Sequence, residues 1–113
     1  MSGSIEIIQG STKKFYVYLT KISNSEPLDL SDATQIEALF HKEDGSLLTL
    51  NLSSGISVTS ALGGKIQVSL STSNTEDLKE DERQDIEIVV TLPTDTHIVH
   101  ALEKLNVYSR LNS

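Results

Sequence analysis

Apolar and polar residues alternate with a period of two along most of this chain, the pattern of strands that bury one face and wet the other. Between 13 and 20, Phe15, Val17 and Leu19 fall on one side while Lys14, Tyr16 and Tyr18 fall on the other. The same period returns with Ile36, Ala38 and Phe40, with Ile66, Val68 and Leu70, and with Ile86, Ile88, Val90 and Leu92. Shorter runs at Ile5, Ile7 and Ile8, at Leu47, Leu48, Leu50 and Leu52, and at Ile56 to Val58 predict further strands. Residues 96–101 and 104–111 predict either two extended pieces or one long bent strand, because Leu102-Glu103-Lys104 has no strong turn signal.

Turn residues fall between these runs: Gly10-Ser11, the polar stretch 23–26, Asp44-Gly45, Ser53-Ser54-Gly55, Gly63-Gly64 and Pro93-Thr94-Asp95. Only 71–81 breaks the period. There Ser73, Asn74 or Thr75 is expected to cap a helical turn near residues 74–79, with Glu76 and Asp77 against its positive end and Leu78 plugging the core. Another stretch, Pro27-Leu28-Asp29-Leu30-Ser31-Asp32-Ala33-Thr34, is centred on a proline that fixes its own φ and pushes Glu26 toward extended backbone. Leu28 and Leu30 then seat in a core while the chain crosses between sheets, and Asp29 and Asp32 accept bonds from nearby amides. The reading is an all-β sandwich.

Composition narrows this further. A chain of 113 residues suits a single domain with one core, residues 1–4 being a loose polar end. Its 37% hydrophobic but only 4% aromatic content makes that core one of Leu, Ile and Val, suited to strands. Cysteine is absent, which removes disulfides, thiol nucleophiles and cysteine-rich zinc sites. The formal charge is −7 and the nine basic residues are scattered, so nucleic acid is not an expected partner. No apolar run approaches the roughly 18 to 20 residues that cross a bilayer, and no secretion signal is expected from the first residues. Asn51-Leu52-Ser53 matches the glycosylation pattern, read here as chance.

Candidate chemistry is sparse. His41, His97 and His100 are the near-neutral titrating groups, but His97 and His100 are three apart in a predicted strand, on opposite faces, where a metal pair would sit two apart. Six acids between 76 and 85 outnumber Lys79 and Arg83, yet they lack the glycine and ligand spacing of a calcium loop and read as a solvated corner. No Gly-x-Ser-x-Gly elbow occurs, and Gly63-Gly64-Lys65 lacks the spacing of a phosphate loop. The expectation is therefore a protein that is not an enzyme and holds no metal or cofactor. Tyr16, Tyr18 and Tyr108 are the candidate interface residues, since tyrosine offers contact area and a polar tip together. They also motivate an alternative, a cell-surface or carbohydrate-binding sandwich.

The order of these signals resembles the immunoglobulin-like β-sandwich domains near the N-termini of tailed-phage baseplate and tail-fibre proteins, of the upper-baseplate type. The resemblance rests on Gly10-Ser11-Thr12, the Pro27 to Thr34 motif, Asp44-Gly45, Gly64-Lys65-Ile66-Gln67-Val68-Ser69-Leu70-Ser71, and Thr75 with Leu78 before Asp85-Ile86-Glu87-Ile88. It implies an antiparallel sandwich of about seven to nine strands. It also implies a virion or prophage structural module, made in the host cytoplasm, that docks on other tail proteins and assembles as a homo-oligomer.

Overall fold

In a computed structural model describing residues 4–21, 26–100 and 104–109, the alternating runs become ten strands, and the break at 71–81 holds one short helix. The strands are β1 (Ser4–Ile8), β2 (Lys13–Tyr18), β3 (Gln35–His41), β4 (Leu47–Asn51), β5 (Ile56–Ser60), β6 (Lys65–Leu70), β7 (Asp81–Gln84), β8 (Glu87–Thr91), β9 (Thr96–His100) and β10 (Lys104–Tyr108). Helix α1 spans Thr72–Glu76. The predicted turn at 23–25 and the junction at 101–103 lie outside the described residues.

Strands β2, β6 and β5 form a three-stranded antiparallel sheet in that order. Facing it is a four-stranded sheet of order β4-β3-β8-β9, and a separate three-stranded sheet, β1-β10-β7, adjoins that one where the chain runs from β7 into β8. β7 leads into β8 through Asp85 and Ile86. The β8–β9 pairing places Glu87 opposite His100, and the β7–β10 pairing resumes with Gln84 opposite Leu105. Within the β7–β10 pairing the register shifts between Leu105 and Val107, at a bulge where Arg83 takes a φ of 57° and donates its N–H to Asn106 Oδ1 at 2.8 Å. The described residues hold ten strands against the predicted seven to nine, and the one that no apolar alternation marks is β7. β1 closes the far edge by pairing in parallel with β10, Ser4 opposite Lys104 through Ile8 opposite Tyr108. The fold is thus an all-β sandwich, its described strand pairs antiparallel but for β1–β10.

One apolar cluster joins the layers. Ile36, Phe40 and Ile88 from the larger sheet and Val17, Ile66 and Val68 from the smaller are all buried in it. The Pro27 motif does cross between sheets: Leu28 and Leu30 are buried, their N–H groups donating to Leu19 O and Ala61 O, each at 2.9 Å. Asp29 Oδ1 accepts the Ser31 N–H at 2.9 Å, holding the corner.

The helix departs from expectation in its start. Ser71, not Ser73, Asn74 or Thr75, is the N-cap: its hydroxyl accepts from Asn74 N–H at 3.2 Å while Asn74 Oδ1 accepts from Ser71 N–H at 2.9 Å. Ser71 follows β6 directly and keeps extended backbone, so it can reach back where a residue inside the first turn cannot. Glu76 therefore ends the helix and Asp77 is its C-cap, away from the positive end where they were expected. Leu78 plugs the core as expected.

Candidate functional site

Because Phe15, Val17 and Leu19 turn inward, Tyr16 and Tyr18 stand on the outer face of the β2-β6-β5 sheet, 47% and 48% exposed. The register sets Gln67 opposite Tyr16 and Lys65 opposite Tyr18. The Lys65 ammonium lies 4.4 Å from the Tyr16 ring centre and 5.5 Å from that of Tyr18, a cation–π contact with both rings. A flat ligand that stacks on those ring faces must displace it. Leu19 N–H donates to Gly64 O at 2.7 Å, so alternate residues Val17 and Phe15 pair with β6 through their main chain. The main-chain groups of Lys14, Tyr16 and Tyr18 then point to the outer edge of β2, which no strand covers among the described residues.

Tyr108 is not part of this face. It stands on β10 in the other layer, opposite Ile8, with Glu6, Glu82 and Asn106 around its hydroxyl. Partial withdrawal from water raises its pKa above the ordinary tyrosine value, and the Glu6 and Glu82 carboxylates add to the shift. The three candidate tyrosines therefore fall in two different sheets, Tyr16 and Tyr18 in one and Tyr108 in another.

Several of the remaining candidates have structural partners. Asn51 Oδ1 accepts from both Ser53 N–H (3.0 Å) and Ser53 Oγ (2.8 Å), folding the Asn-Leu-Ser stretch onto itself. Gly64 has φ +66° and packs against Leu28 and Leu19 main chain. His97 sits with its Nε2 3.5 Å from Asp95 Oδ2 and lines a largely apolar cleft of about 420 Å³ together with Leu28, Leu92, Ile98, Val99 and Asp29. Asp29, the cleft's carboxylate, is held below its ordinary pKa by the Ser31 hydroxyl and amide. His41 is exposed at the end of β3, and nothing is described of the His100 side chain. Among the described residues no three histidines or carboxylates are close enough to hold a metal ion. No helix among them is long and apolar enough to cross a membrane.

Lys65 is the contributor that the alternation did not identify. Its role depends on which strand pairs with β2, and only the β2–β6 register brings it onto the tyrosines. No protein-family model matches the chain, and no curated protein matches it significantly.

Proposed function

We propose that this chain is a structural assembly or adaptor module of a tailed phage or prophage, of the tail or baseplate type, acting in the virion through protein–protein contacts rather than by catalysis. The observation that carries the reading is the Tyr16–Tyr18 face: two exposed aromatic residues, set by Lys65 and lying beside a strand edge that no strand covers among the described residues. Tyrosine area on a rigid sheet, with main-chain groups at its rim, suits docking by side-chain contact and strand addition. The order of sequence motifs supports the phage setting. Mass spectrometry of purified particles of the source phage tests it: the chain is expected among the tail components, with cross-links through Lys14 or Lys65 to a neighbour. Absence from intact particles would remove the role.

A carbohydrate-binding module is the second reading, favoured by the same adjacent rings. Lys65 over both rings weighs against sugar stacking. Glycan-array hits lost on Tyr16→Ala would reverse that preference.

A further inference from the structure

We propose that copies of this chain stack front to back, the outer face of the β2-β6-β5 sheet of one copy lying on the outer face of the opposite layer of the next. This rests on the reading that the chain assembles through protein contacts, and it names the partner of the tyrosine face. The argument is charge. In a chain of formal charge −7, the outward positions of the smaller sheet hold Lys14 and Lys65 and, among the described residues, no carboxylate. Tyr16, Tyr18, Gln67 and Ser57 fill the space between.

The opposite outer face has the reverse balance. Inward burial of Ile5 and Ile7, of Ile36 and Ala38, and of Ile88 and Val90 turns Glu6, Glu37 and Glu87 outward; the bases on this side are Lys104, ion-paired with Asp85, and exposed Arg83, which stands beside exposed Asp81 and Glu82. Val89 shares that face, and exposed Ile98 at its margin offers further apolar area. A lysine face on a glutamate face is favourable. Two like faces would set equal charges together and disfavour a symmetric dimer. The contact is therefore heterologous, and repeated it closes a ring or extends a filament.

Size sets the strength. Three strands at about 4.8 Å and six residues at about 3.4 Å give a patch of roughly 300 Å², well under the about 800 Å² per partner of a stable complex. Association is weak in solution and becomes significant where copies are held close together.

Light scattering and sedimentation from about 10 μM to about 1 mM protein, at about 0.05 M and about 0.5 M salt, test this. The average mass of the wild-type chain is expected to rise with concentration and to fall toward the monomer at high salt. Lys14→Glu/Lys65→Glu and Glu6→Lys/Glu37→Lys each leave a chain with two like faces, and each is expected to stay monomeric with an unchanged circular dichroism spectrum. Mixing these two variants in equal amounts restores association, because opposite faces meet again. A wild-type chain that is monomeric throughout, or reversed variants that associate as it does, would overturn the stacking. Particle composition separates this from the wider reading. A chain present in particles but monomeric at about 1 mM loses the stacking alone. One that stacks but is absent from particles loses the virion role.

Discussion

Gly45 and Gly64 both hold φ in the left-handed region, at +88° and +66°, but a methyl group added to each meets different surroundings. At Gly45, in the β3–β4 turn, nothing lies within 4 Å, so Gly45→Ala carries only the backbone cost of about 1 kcal/mol. At Gly64 a Cβ would overlap Leu19 O and lie 2.9 Å from Leu28 O, so Gly64→Ala is expected to cost on the order of 3 kcal/mol. Urea titration of the two variants separates conformational strain from collision, and equal losses would mean that the Leu19–Leu28 segment yields. The carboxylates at the turns make a second prediction. Ser46 bonds to Asp44, and Ser31 to Asp29, hold both acids below their ordinary 3.8. A folded pKa below the unfolded one stabilises above the unfolded value, and that contribution is lost as pH falls through the folded value. The urea midpoint of the wild-type chain should therefore fall more steeply below about pH 4 than that of Asp29→Asn/Asp44→Asn. Parallel curves would mean that neither serine favours the charged form.

At the scale of elements, α1 is too short to persist alone and is held by its contacts. Buried Thr75 donates its hydroxyl to Ser11 O at 2.6 Å and accepts from Gly10 N–H at 3.0 Å, fastening the helix to the β1–β2 turn. Gln9 Nε2 adds a bond to Leu78 O at 2.7 Å. Thr75→Val keeps the shape but strands the Gly10 donor, and should cost about 1–3 kcal/mol. Ser71→Ala removes only the cap, about 1 kcal/mol. Chemical denaturation that ranks Ser71→Ala as the more costly would place the anchor in the cap instead. Sequence pattern reached Leu78 but not Thr75, because one was marked by hydrophobicity and the other by a partner more than sixty positions away. The strands built on Phe15, Ile36, Ile66 and Ile88 were legible because alternation and burial coincide there. β7 was not: Asp-Glu-Arg-Gln has no apolar face and becomes a strand only by pairing with β10.

For the whole molecule, period two tells which residues point outward but not which sheet each strand joins. Tyr16 and Tyr18 were legible as outward residues of one strand and Tyr108 as a further candidate in the last extended piece, yet only strand order shows that they belong to different sheets. That separation makes the tyrosines reporters of different layers, in a chain with three tyrosines and no tryptophan. Tyr108→Phe leaves only Tyr16 and Tyr18, on the β2-β6-β5 sheet, and Tyr16→Phe/Tyr18→Phe leaves only Tyr108, on the β1-β10-β7 sheet. The inner faces of both sheets meet in one apolar cluster, so neither sheet can expose its half of the core without exposing the other. Urea unfolding followed by tyrosine fluorescence should then coincide with far-ultraviolet circular dichroism measured on the same variant, with one midpoint for each. A tyrosine transition that precedes the dichroism in the Tyr108 reporter, but not in the Tyr16–Tyr18 reporter, would mean that the β1-β10-β7 end opens first. In that case the strand edges there, where β1 is held by one parallel pairing, would be a separate unit from the core.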